Sequence, residues 1–180
     1  IIIRTGIYDD VIEVGELGDC TGCLIIEGHD LIDPHSNDFD VVDYKSDFSG
    51  HGAAFKAETI NIHQSASLDT DTVIGVDFDA RRNIVMFAGS TVTATGGGDV
   101  TMDANTAGVL VGTPGFTGEN FVGIQMKGAT VANMGSGSVT LTAEGGDTGT
   151  YARGVLVSSD NATGIRSSVS AENGSVSITG

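Results

Sequence analysis

The sequence predicts an all-β fold, a β-solenoid in which short strands of successive coils stack in parallel. Three observations support it: a block of 11–12 residues recurs every 38–39 residues, its apolar residues alternate with Thr and Ser, and Gly-rich turns separate the short strands. No stretch shows sustained helical spacing with helix caps. Each strand can bury only one face, and stacking coils about 4.8 Å apart gives every strand partners above and below.

The repeat is clearest in the second half of the chain. Its three copies are Thr91–Met102, Thr130–Leu141 and Ser168–Ile178, and their starts lie 39 and 38 residues apart. Apolar residues at every second position indicate strands with one buried face. We count four short strands in each repeat and therefore expect two coils of about 19–20 residues per repeat.

The first half follows the same pattern less regularly. Further strands are predicted at residues 10–14, 24–26, 39–42, 58–62, 72–78 and 83–87. No linker divides the chain, so we expect one solenoid segment over 1–180, with irregular acidic coils in 1–57 and regular repeats in 58–180. Both ends read as cuts from a longer polypeptide. An antiparallel β-sandwich is the alternative, and the regular recurrence of a two-strand block favours the solenoid.

The charge of the chain excludes some classes of partner. The chain has 24 acidic and 8 basic residues, a net charge of −16, and 17 of the acids precede residue 91. Binding to nucleic acid or to anionic lipid needs a surplus of Lys and Arg, so we expect neither in this segment. No apolar run approaches the roughly 18 residues of a membrane span, so we expect no membrane insertion in this segment. Ten aromatic residues without a Trp offer little for stacking sugars or bases.

The repeats resemble those of very large bacterial exoproteins, the filamentous-haemagglutinin type of adhesin. The shared pattern is a Gly-rich turn, a Val-Thr or Val-Ser strand and then Gly-Val-Leu-Val, as in residues 96–111 and 135–157; residues 173–180 contain its turn and strand. The resemblance covers residues 58–180 and extends weakly to 1–57. It implies a right-handed parallel β-helix, secretion to the cell surface, and adhesion or biofilm contact. It supplies no catalytic residues.

Polysaccharide cleavage is an alternative function, because parallel β-helices host pectin-active enzymes. Asp9, Asp10 and the Gly50–Gly52 segment resemble, in that order, two elements of the polygalacturonase pattern. The Arg-x-Lys element that should follow is absent, and Arg81–Asn83 is no substitute. An acidic surface would also repel a polyanionic substrate. We therefore expect no enzymatic activity.

Acidic pairs one residue apart are candidate calcium ligands, because alternate residues of a strand point the same way and Ca²⁺ prefers oxygen ligands. The candidates are Asp69 with Asp71 and Asp77 with Asp79; Asp38 and Asp40 form a further pair of this kind. The nonapeptide calcium repeat is absent, so a solvated acidic face is the competing interpretation. No cofactor is required by the sequence, and calcium is the one candidate ion.

Cys20 and Cys23 form the only Cys-x-x-Cys pair of the chain. A local disulfide is the favoured interpretation in an exported protein, with free thiols, a redox pair or half of a metal site as alternatives. His29 and His35 follow too closely for the spacing of a zinc finger. The four histidines match no metal-binding motif, and we expect them to lie in loops.

These observations together predict a segment of a secreted, repetitive cell-surface adhesin that acts as a non-catalytic stalk or contact surface. Its expected location is extracellular, on a bacterial cell. Its expected partners are other copies or neighbouring segments of the same protein and a cell-surface or matrix ligand that the sequence does not name. The alternative is a structural subunit that assembles into an extracellular filament or sheath, because open coil ends expose unpaired strand edges.

Overall fold

A computed structural model of the chain describes residues 1–4, 11–14, 22–27, 41–106, 120–150 and 152–180. These residues form strands and turns, with no helix among them, and so none that could cross a membrane. The strands are β1 (Ile2–Arg4), β2 (Val11–Val14), β3 (Cys23–Glu27), β4 (Val41–Tyr44), β5 (Asp47–Ile62), β6 (Ser67–Met86), β7 (Thr91–Ala94), β8 (Val100–Ala104), β9 (Val122–Lys127), β10 (Thr130–Asn133), β11 (Val139–Ala143), β12 (Arg153–Ser158), β13 (Ser168–Ala171) and β14 (Val176–Thr179).

The strands pair in three parallel ladders, which β5 and β6 join into one 14-stranded sheet. The first ladder contains β1, β3, residues 52–57 and 75–80, β8, β11 and β14. The second contains β2, β4, residues 59–62 and 83–86, β9 and β12. The third contains residues 47–50 and 67–70, β7, β10 and β13. All pairings of the described strands are parallel, which is consistent with a β-solenoid and rules out the antiparallel sandwich.

One passage through the three ladders, called a coil below, is longer than the sequence suggested. Thr130 pairs with Thr91 on one side and Ser168 on the other, so each 38–39-residue repeat forms a single coil. The expectation of 19–20 residues per coil is therefore wrong for the repeats. A coil has three strands rather than two, and the remaining length goes into connections between them. Earlier coils are shorter, with 24 residues from Asp77 to Thr101 and 20 from Asp47 to Ser67.

The inward residues of all three ladders form one apolar core. Ile26, Phe55, Phe78, Met102 and Leu141 occupy one register column of the first ladder, and each is fully buried. The rings of Phe55 and Phe78 stack with centroids 4.7 Å apart. Stacking equivalent residues coil upon coil builds this core without helices, because each coil covers the apolar face of the next.

Tyr44 shows that the three ladders enclose the same interior. It belongs to the second ladder, its ring centroid lies 5.4 Å from that of Phe55 in the first, and its hydroxyl donates to the Ser67 carbonyl in the third (3.0 Å). Burial, with the carboxylates of Asp47 and Asp69 nearby, raises the pKa of the Tyr44 hydroxyl well above its ordinary value. The hydroxyl therefore stays protonated and remains a hydrogen-bond donor across the core.

The last described coil is the least covered. Val176 and Ile178 are 44% and 48% exposed, although their register partners Val139 and Leu141 in the preceding coil are fully buried. β14 therefore presents an apolar edge in the described stack.

Candidate functional site

Most of the long connections leave the stack at one corner, between the first and the second ladder. They join β1 to β2, β3 to β4, β8 to β9 and β11 to β12, and they span 6, 13, 17 and 9 residues. In the two coils between them the same corner is turned by Glu58 alone and by Arg81 and Arg82. We call this edge the loop-bearing corner. Binding residues of repeat proteins concentrate on such loops, which a regular scaffold holds in place.

The tight part of this corner contains a buried acidic residue and a guanidinium that lies over an aromatic ring. Glu58 is only 5% exposed, and the Arg82 guanidinium carbon lies 5.1 Å from the centre of the Phe121 ring. Beside it, the Thr59 hydroxyl donates to the Asn83 side-chain oxygen (2.8 Å). The contact between Arg82 and Phe121 joins two successive coils and restrains the guanidinium, as expected of a cation held against an aromatic face.

The predicted acidic pairs fall on two different ladders. Asp69 lies on the third ladder, with Asp71 just beyond its end, whereas Asp77 and Asp79 lie on the first ladder. The Asp71 carboxylate approaches the His51 ring nitrogen Nδ1 at 3.0 Å. The structure therefore keeps the four candidate calcium ligands as two separate pairs. Within the described part of the chain, no group of three or more His, Cys, Asp or Glu side chains has a metal-binding arrangement. Calcium stays a prediction.

Asp79 belongs instead to a charged column of the first ladder that the sequence did not reveal. Its neighbours in register are Lys56 on one side and Asp103 on the other, and Lys56 Nζ lies 3.0 Å from Asp79 Oδ2. The hydrogen bond and the charge of Asp79 raise the pKa of Lys56 against the effect of its partial burial. Only knowledge of the 24-residue register could have placed Asp103 beside Asp79.

Burial, and secondly repulsion among these carboxylates, disfavours their charged forms. Partial burial, followed by the negative charge of Asp79, raises the pKa of Asp77 in spite of Lys56. Burial likewise raises the pKa of Asp103, although a hydrogen bond with Thr142 partly offsets it. A raised carboxyl pKa means that the folded state disfavours the charged form. This face of the first ladder therefore contains more negative charge than its single lysine neutralises.

A second polar cluster lies on the second ladder. Asp43 Oδ1 accepts a hydrogen bond from Asn61 Nδ2 (2.8 Å) and lies 3.2 Å from His63 Nε2, while Lys45 Nζ is 4.0 Å from Asp43 Oδ2. Burial alone would raise the pKa of Asp43, but these neighbours outweigh it and hold the pKa below its ordinary value. The His63 ring also stacks on Phe87, with centroids 5.5 Å apart. Asp43 is therefore a stabilising carboxylate.

The histidines are only partly where the sequence placed them. His51 lies within β5 rather than in a loop, and His63 follows directly after that strand. His29 and His35, and the further acidic pair Asp38 and Asp40, lie outside the described residues.

Two other sequence-predicted sites are only partly described. Cys23 begins β3, but Cys20 lies outside the described residues, so the disulfide stays a prediction. Asp9 and Asp10 also lie outside them, while the Gly50–Gly52 segment sits at a corner within β5. The absence of enzymatic activity therefore stays a prediction.

No protein-family description, curated protein or solved structure matches the chain.

Proposed function

We propose that this chain is a segment of a secreted, repetitive cell-surface adhesin, folded as a right-handed parallel β-helix, that acts as a non-catalytic stalk or contact surface. Right-handedness is supported by the parallel pairing, because crossovers between parallel strands are right-handed in nearly all proteins. The observation on which the proposal rests is the loop-bearing corner: a regular stack of coils that gathers long connections along one edge.

In such a stack, the ladders and the corner connections are under different packing constraints. The ladders bury their inward side chains and satisfy their backbone groups coil upon coil, so their sequence is constrained by packing. The corner connections are released from that constraint, and their lengths vary from 1 to 17 residues at the same position of successive coils. Contact with a cell-surface or matrix ligand is therefore assigned to the corner, with no catalytic step.

Two connections of equal length in the same coil allow a matched test. Residues 144–152 join β11 to β12 at the loop-bearing corner, and residues 159–167 join β12 to β13 at another corner. Each is shortened to a two-residue turn, and beads coated with each variant are tested for adhesion to cells and to immobilised matrix. Shortening 144–152 is expected to reduce adhesion, and shortening 159–167 to leave it unchanged. Equal losses, or no adhesion by the parent chain, would contradict the proposal.

A second candidate function, assembly into a filament or sheath, is supported by the exposed edge at β14. Val155 and Ile178 line a shallow depression there, and Val176 and Ile178 are about half exposed. Apolar strand edges of this kind readily pair with another chain. Sedimentation and negative-stain microscopy test it: fibres that Ile178→Lys abolishes and the outward-facing Thr179→Lys does not would support assembly. A monodisperse parent chain would refute it.

A further inference from the structure

The turn between β13 and β14 contains the only Asn-Gly dipeptide of the chain, Asn173–Gly174. Both residues are exposed and lie in a bend. The side-chain amide of Asn173 donates from Nδ2 to the carbonyl of Gly135 in the preceding coil (3.3 Å). The solvent-exposed side-chain amide of Asn173 thus links this turn to the preceding coil.

The backbone nitrogen of Gly174 is available for reaction with that amide. It makes no hydrogen bond with any residue in the described part of the chain. Glycine also has no Cβ to hinder the approach of its nitrogen to the side chain before it. Asparagine in such a setting is chemically labile, because the following amide nitrogen can attack the side-chain carbonyl carbon.

Two other asparagines provide internal comparisons. Asn133 is 1% exposed, and the nitrogen that follows it, on Met134, donates to the Ala94 carbonyl (2.7 Å). Asn161 is exposed, but the following Ala162 nitrogen is hydrogen-bonded to the Asp160 carboxylate. Exposure, a following glycine and an unengaged nitrogen are combined at Asn173.

We propose that Asn173 is a site of spontaneous deamidation that loosens the attachment of β14. The Gly174 nitrogen loses its proton to base and bonds to Cγ of Asn173, and the bond from Cγ to Nδ2 breaks, with release of ammonia. Water then opens the resulting succinimide at one of its two carbonyls. The products are aspartate and isoaspartate; overall, one molecule of water is consumed and one of ammonia is released.

Both products weaken the attachment of β14. A carboxylate cannot donate to the Gly135 carbonyl, and it places a negative charge beside that oxygen. Isoaspartate also adds a carbon to the backbone just before β14, whose register is fixed by pairing of Val176 with Val139. An added backbone atom works against that register, so the apolar edge of β14 becomes more exposed with time.

The experiment ages the folded chain in mildly alkaline buffer and follows each asparagine by peptide mass spectrometry, with isoaspartate detected by enzymatic methylation. Asn173 is expected to lose its amide while Asn133 and Asn161 retain theirs. Backbone amides of β14 are expected to exchange faster in the aged protein and in Asn173→Asp, but not in aged Asn173→Gln, whose longer side chain cyclises poorly.

Retention of the Asn173 amide in folded protein, under conditions in which a denatured sample loses it, would overturn the proposal. Equal conversion of Asn161 would overturn the structural reason for it. Unchanged exchange at β14 after conversion would overturn the proposed loosening of the strand.

Discussion

Replacing Gly135 by alanine tests the register that defines the coil. Gly135 lies in the turn between β10 and β11, directly above Gly96 of the preceding coil. A Cβ at this position would lie 1.6 Å from the Gly96 carbonyl oxygen, far inside the 3.4–4 Å of ordinary contact. If each repeat formed two coils, Gly96 would lie two coils away and the substitution would be tolerated.

The loss of stability in Gly135→Ala depends on the atoms that must move to make room for the Cβ. The obstructing atom is backbone, so the two turns must separate by well over an ångström, and overpacking of this kind costs about 1–3 kcal/mol. The separation also breaks the hydrogen bond from the Ser136 nitrogen to the Gly96 carbonyl (3.3 Å), which adds about 1 kcal/mol. A total of about 2–4 kcal/mol corresponds to a fall in Tm of roughly 10 °C for a chain of this size.

The assay is thermal unfolding followed by circular dichroism, with Gly97→Ala as the matched control. A Cβ on Gly97 meets only side-chain atoms, Ser136 Oγ at 3.3 Å and Val73 Cγ1 at 3.5 Å, and both can move. Gly97→Ala is therefore expected to unfold close to the parent Tm. Equal Tm values for the two variants would refute the 39-residue register and the steric argument together.

Three further substitutions, one of them with a control variant, test the core and the charged ladders. Phe78→Ala, which removes a fully buried ring stacked on its neighbour, should cost about 3–5 kcal/mol in urea unfolding, whereas Val73→Ala, at an 81% exposed position, should change stability by less than about 0.5 kcal/mol. The raised pKa of Asp77 contributes stability that is present in acid and lost as pH rises through the folded pKa. Asp77→Asn should therefore raise Tm at neutral pH and lose that advantage in acid, and an unchanged neutral Tm would contradict this. The lowered pKa of Asp43 contributes stability that is present at neutral pH and lost as pH falls through the folded pKa. Asp43→Asn should therefore lower Tm at neutral pH, and its Tm should converge with that of the parent chain in acid.

Residue spacing predicted the acidic pair on one strand face, but not the residues that lie beside it in the neighbouring coils. Alternating acids at Asp77 and Asp79 correctly predicted two carboxylates on one outward strand face. The pairing of Asp79 with Lys56 and Asp103 depends on residues 23 and 24 positions away, at sequence separations that vary between coils. No local pattern specifies such offsets, because the length of each corner connection sets them.

The sequence by itself determined the all-β class, the alternation of inward and outward residues and the period of the repeat, whereas the strand segments at 47–57 and 67–70 were not among the predicted strands. The physical reason is local: β-branched residues at alternate positions and Gly-rich turns act within a few neighbouring residues. Thr91, Thr130 and Ser168 were thus recognised as equivalent positions, and they pair directly in the structure.

Only the tertiary structure decided that one repeat makes one coil of three strands, that Tyr44 links all three ladders, and that the long connections share one corner. These features depend on where the chain bends between strands. The first and second ladders keep their pairing whether the corner between them is turned by Glu58 alone or by the 17-residue connection after β8. Stacking stabilises a particular register of the strands, and its free energy depends only weakly on the length of chain that joins them.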